Sequence, residues 1–142
     1  MAGFGAHDPV ERGPGPRRAF VGRSAELELV LAGMEQGRAV VIGGEAGVGK
    51  TALLDVAIAE LGRRGFRCLR VQPTPGVSAL PLGALSHLVP SSHGLGTSAA
   101  AAEATAVLGA FGPGAVLCVD DLPFLDPVSE HVILQALADG RL

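Results

Sequence analysis

Apolar positions along the chain change period several times, and the changes divide it into elements. Leu27, Val30, Leu31 and Met34 recur at i, i+3, i+4 and i+7. This predicts a helix with Ser24 as N-cap and Gly37 as its stop. Arg38 to Gly43, RAVVIG, is a continuous, β-branched apolar run, which predicts a strand buried on both faces of a parallel sheet. A glycine-rich loop leads into a helix from about Gly49 to Arg64. Leu54, Ile58 and Leu61 form its stripe, and Gly62 and Gly65 mark its end. Phe66 to Val71 predicts a second strand, and Leu80 to Val89 a short helical segment. Residues 90–97 are expected to be a loop, with Thr97 or Ser98 capping an alanine-rich helix that runs to about Phe111. Ala115 to Val119, AVLCV, predicts a third buried strand ending at Asp120 and Asp121. Pro127 starts a last helix through Ala138, with Val128, Val132 and Leu137 on or near one face. Strands and helices in alternation imply an α/β parallel sheet with right-handed crossovers, and no internal repeat is visible.

Composition narrows the picture. The 142 residues suit one domain, and the aliphatic content supplies its core, since there is no Trp or Tyr. Residues 1–18 are rich in Gly, Pro and Arg without periodicity, which predicts a disordered lead-in before a domain over 19–142. A formal net charge of −3 argues against a broad basic nucleic-acid surface. The cluster Arg63, Arg64, Arg67 and Arg70 reads as the solvated end of a helix and a strand edge rather than a DNA site. Cys68 and Cys118 fall in strand-like runs, so buried, reduced thiols and a cytoplasmic location are expected. No apolar run approaches the roughly 20 residues that span a membrane, and the N-terminus lacks a secretory pattern.

The chemistry concentrates in Gly44-Glu45-Ala46-Gly47-Val48-Gly49-Lys50-Thr51, which fits G-x-x-x-x-G-K-S/T and follows a predicted strand. Glycines let successive backbone N–H groups face one concave surface, and the helix N-terminus adds partial positive charge, an arrangement suited to phosphates. Lys50 is the only lysine in the chain, a point charge for β and γ phosphates, and Thr51 offers a hydroxyl to magnesium. The bland alternative, a chance glycine-rich turn, does not account for that lysine.

The acids after AVLCV form a second candidate. A strand carries Asp120 to the sheet's C-terminal edge, where ligands of open α/β folds bind. Asp120 is the expected magnesium ligand, through water, and Asp121 the candidate to orient or deprotonate an attacking water. Taken alone, Asp120 reads better as an acid that ends a strand and caps a helix; the glycine-rich loop upstream tips it to the metal-ligand reading, and leaves Asp121 evenly balanced. His87 and His93 have no third ligand at suitable spacing and read as surface or capping residues, and Glu45 as solvated.

Together FVGRSAEL, VVIGGEAGVGKTALL, ALPLGALSHLVP and AVLCVDDLPFLDPVSEHVILQAL resemble the ATPase module of the large ATP-binding LuxR-family regulators, signal-transduction ATPases related to AAA proteins. The resemblance covers about residues 19–140. It implies an α/β P-loop NTPase sheet with flanking helices and ATP or ADP with Mg2+ as ligand. Phe20, Val21, Gly22 and Arg23 would lie along the adenine. The module would act as a slow nucleotide switch, with DNA bound by a distant helix-turn-helix domain and not by this segment. Pro123 and Phe124 stand where the family has His or Gln and then Trp, which weakens a γ-phosphate-sensing role for that loop. An active AAA-type hydrolase and a non-catalytic interaction module are the rivals. The family pattern also implies that a central strand, following the last helix, belongs between the P-loop strand and the acidic strand. The fold within these residues is therefore expected to be incomplete at its C-terminal side, with weak nucleotide binding, negligible hydrolysis, poor solubility and self-association through unpaired strand edges.

Overall fold

The structure is a computed structural model that describes residues 22–89, 94 and 96–142. The expected lead-in over 1–18 lies outside the described residues, as does most of the expected 90–97 loop. Four α-helices and two strands form an α/β arrangement: α1 (Ser24–Glu35), α2 (Lys50–Arg63), β1 (Arg67–Val71), α3 (Thr97–Phe111), β2 (Ala115–Val119) and α4 (Pro127–Ala138). The strands pair in parallel, with Arg67 opposite Ala115 and Val71 opposite Val119. One further rung joins the Asp120 N–H to the Val71 carbonyl at 3.0 Å.

Side-chain alternation sorts the strand residues onto two faces. Val116 and Cys118 point to one face, where they join Leu31 of α1 and Leu61 of α2; Leu27, Met34, Leu54, Ile58, Phe66 and Cys68 surround that cluster. On the other face Val71 packs with Leu82, Leu85, Leu108, Val132 and Ile133, and with the small residues Ala100, Ala104 and Ala136. The two-stranded sheet thus lies between α1 and α2 on one side and α3 and α4 on the other. On α3 only Ala100, Ala104 and Leu108 are buried, small residues at two of three positions, which suits close packing; Ala99, Ala102, Ala106 and Ala110 are exposed.

The largest departure from expectation is Arg38–Gly43, which forms no strand. Val40 and Ile42 are half-buried, but Val41 between them is 80% exposed. The run is therefore one-sided, not buried on both faces. A strand needs ladder hydrogen bonds to a neighbour, and among the described residues none pairs with this run.

Smaller corrections follow from end geometry. Arg23, not Ser24, is the N-cap of α1, and Gly96, not Thr97 or Ser98, precedes α3; neither cap makes a side-chain hydrogen bond. Gly62 lies inside α2, whose reversal comes at Gly65 with φ +89°. Residues 80–89 are turns plus a 3-10 segment, Ser86–Leu88, because Pro81 and a left-handed Leu82 interrupt a regular helix. On α4 the inner face is Ser129, Val132, Ile133 and Ala136, so Leu137 faces outward. Cys68 is half-buried rather than buried. Among the described residues no helix is long and apolar enough to cross a membrane.

Candidate functional site

The 44–51 loop connects the one-sided 38–43 run to the first turn of α2. Its backbone requires glycine at two points. Gly44 has φ +155°, and a Cβ there would come within 2.9 Å of the Val48 side chain; Gly49, the N-cap of α2, is left-handed at φ +92°. No side chain caps α2. The first amides of the helix therefore have no acceptor from its own turn, since Leu53 is the residue whose N–H reaches Gly49, at 3.0 Å. Lys50 curls over the loop. Its Nζ donates to the carbonyls of Gly44 at 2.9 Å and Glu45 at 2.7 Å. The ammonium thus rests on weak neutral acceptors, which a charged oxygen would readily displace. Glu45, Ala46, Gly47 and Val48 are exposed, which leaves the loop open to solvent.

One residue further into α2, the Thr51 hydroxyl donates to Asp120 Oδ1 at 3.2 Å. Asp120 follows β2 directly and is only 5% exposed. Its Oδ1 also accepts the Asp121 N–H at 3.1 Å, and its Oδ2 accepts Arg70 Nη2 at 2.6 Å. Arg70 comes from β1, on the sheet face toward α2. Its other terminal nitrogen, Nη1, pairs with Asp55, one helical turn beyond Thr51. The four side chains form a chain of contacts, Thr51 to Asp120 to Arg70 to Asp55, with Thr51 and Asp55 on one face of α2, Arg70 on β1 and Asp120 at the end of β2. Both carboxylates hold the Arg70 guanidinium in its charged form, Asp120 most strongly, so its pKa is raised.

The Asp121 side chain stands beside this cluster but outside it. Its carboxylate is exposed, and its backbone is left-handed at φ +54°, which turns the chain away from the sheet edge. Phe20 and Val21 lie outside the described residues. Gly22 is exposed, and Arg23 serves as N-cap of α1. Among the described residues no hydrogen bond joins Gly22 or Arg23 to the loop. His87 is exposed, His93 lies outside the described residues, and no group of three His, Cys, Asp or Glu among those described is arranged to hold a metal. An open groove of about 530 Å3 between α3 and α4, lined by Thr105, His131, Gln135 and Arg141, contains none of the loop residues.

Two residues escaped the sequence reading. Arg70 was grouped with solvated arginines, yet it is bonded to the buried Asp120; its neighbours Arg63 and Arg64 pair instead with Glu60 and Glu35. Asp126 is 1% exposed and its carboxylate accepts three backbone N–H groups, those of Ser129 at 2.9 Å, Leu82 at 2.9 Å and Ala84 at 3.1 Å. It caps α4 and pins the 82–84 turn. The Asp-Pro-x-Ser order is compatible with a cap on α4, but nothing local marks the distant turn.

No protein-family model, curated protein or solved structure matches the chain.

Proposed function

We propose that the 44–51 loop is a P-loop that binds ATP or ADP with Mg2+. The observation that carries the reading is the approach of Thr51 to Asp120, 69 residues apart in sequence and 3.2 Å apart in space. The G-x-x-x-x-G-K-T pattern concerns phosphate; it makes no demand that an acid from a separate strand meet its threonine. A hydroxyl and a buried carboxylate side by side, at the mouth of an amide-lined loop, are the oxygen donors that Mg2+ takes while keeping water and phosphate in its remaining positions. That small donor set is compatible with the lack of a three-residue metal cluster among the described residues.

In this reading the loop amides and Lys50 hold the phosphates, while Thr51 and Asp120 are the metal-side ligands. When bound, Mg2+ would offset charge on the phosphate oxygens. Asp121, exposed at the same edge, is the carboxylate left to orient an attacking water. The family resemblance extends the proposal to the nucleotide switch of a bacterial LuxR-type transcriptional regulator, working in the cytoplasm.

The test is thermal unfolding with Mg-ADP and Mg-ATP. Ligand at a hundred times its dissociation constant adds about 2.7 kcal/mol of stability. Lys50→Ala should remove most of the shift, because the chain has no other lysine to take its place. A shift that survives in Lys50→Ala would show that nucleotide binds elsewhere.

A further inference from the structure

We propose that Arg70 is a resident counter-cation of the magnesium site, one that a divalent metal must work against to engage Asp120, and that it thereby sets how strongly nucleotide binding depends on Mg2+. The inference rests on the nucleotide-binding reading above. Arg70 places Nη2 at 2.6 Å from Asp120 Oδ2, while Thr51 meets Oδ1 of the same carboxylate. A metal recruited by Thr51 and Asp120 must therefore share that carboxylate with a guanidinium. The Arg70 Nε is buried without an acceptor. The fork is aimed at the two acids at the expense of its third nitrogen.

Charge makes the direction of the effect definite. Asp55, Asp120 and Arg70 sum to one net negative charge. Neutralising Arg70 leaves a net charge of two negatives facing the metal, and neutralising Asp55 leaves no net charge there, Asp120 being balanced by Arg70. A dication responds to the two changes in opposite senses. Arg70 also lends positive charge to a nucleotide bound without metal, so its loss weakens that state while favouring the metal-bound one.

The readout is the ratio of dissociation constants for a fluorescent ADP measured in EDTA and in Mg2+. Arg70→Gln keeps an amide donor for Asp120 and removes the charge; the ratio should rise by about tenfold, as expected for one screened unit charge beside a carboxylate. Asp55→Asn should lower the ratio. Asp55 is about half exposed, 53% at its side chain, so this variant keeps the test decisive even if Arg70→Gln fails to fold. A structural role alone would weaken both dissociation constants together and leave the ratio still. An unchanged ratio in the folded variants overturns the inference while leaving nucleotide binding intact. If the wild-type chain binds ADP in neither condition, the nucleotide reading falls and this inference falls with it.

Discussion

Thr51 and Asp120 are joined by a 3.2 Å hydrogen bond that ties the first turn of α2 to the end of β2. Thr51→Val preserves shape and removes the donor. Asp120 keeps Arg70 and the Asp121 N–H as partners, so the loss of folding stability should stay near 1 kcal/mol. Mg2+-dependent ADP binding should fall much further than binding in EDTA. In a double-mutant cycle with Asp120→Asn, the two changes should be non-additive in Mg2+ and nearly additive without it. Equal additivity in both conditions would separate this pair from any metal.

Asp126 concentrates stability in one carboxylate. Burial alone would raise its pKa, but hydrogen bonds from Ser129, Ala84 and Leu82 outweigh that and hold it below the usual aspartate range. A depressed folded pKa means stability that is fully present above the unfolded value and is lost as pH falls through the folded one. Acid should therefore destabilise the protein below about pH 4, and Asp126→Asn should flatten that part of the profile. Asp126→Ala, which orphans a helix cap and two turn amides, should cost about 2–4 kcal/mol at neutral pH. Faster amide exchange at Leu82 and Ala84 is the local signature to look for. An acid limb that persists unchanged in Asp126→Asn would assign it to other carboxylates.

Much of this arrangement was legible before any coordinates. The bounds of β2 and α4 and the C-terminal end of α3 agree with the hydrophobic pattern, because Gly112-Pro113-Gly114 and Asp126-Pro127 punctuate the chain at those points. The glycine-rich turn into α2 was equally legible, since the left-handed positions at Gly47 and Gly49 are local in sequence. What pattern does not carry is partnership across distance. RAVVIG has the composition of a central strand, but whether it becomes one depends on a neighbour that its own residues do not specify. Arg70 looked like its arginine neighbours because β-strand alternation only says that it shares a face with Cys68; the facing acids, Asp55 and Asp120, come from two other elements. Asp126 went unread for the same reason, since Leu82 and Ala84 lie 44 and 42 residues away in sequence.

The exposure of Val41 separates an unpaired run from a buried strand. Val41→Thr should change stability by less than about 0.5 kcal/mol, as for other exposed positions. Leu108→Ala, at a fully buried position between α3 and the sheet, should cost about 2–5 kcal/mol. Chemical denaturation of both variants provides the comparison. A Val41→Thr penalty approaching that of Leu108→Ala would mean that the run is packed on both faces in solution.

Cys68 and Cys118 lie on neighbouring strands but two positions out of register, since Cys68 faces Val116 and Cys118 faces Arg70. Strand spacing and rise place their Cα atoms about 8 Å apart, close enough to interact and beyond the usual span of a disulfide. Both thiols should therefore be found reduced. Their reactivities should differ. Burial, with a smaller contribution from neighbouring Cys68, pushes the Cys118 thiol up to about 11, whereas Cys68 is half-buried and its pKa is raised by burial. At pH 8 roughly one Cys118 in a thousand is a thiolate, and the side chain is also shielded from reagent. Iodoacetamide on the native protein should thus label Cys68 first, with Cys118 reacting only as the protein unfolds. Peptide mapping over time reads the two rates directly. Labelling of Cys118 as fast as Cys68 in folded protein would mean that β2 opens to solvent far more often than its place in the sheet allows.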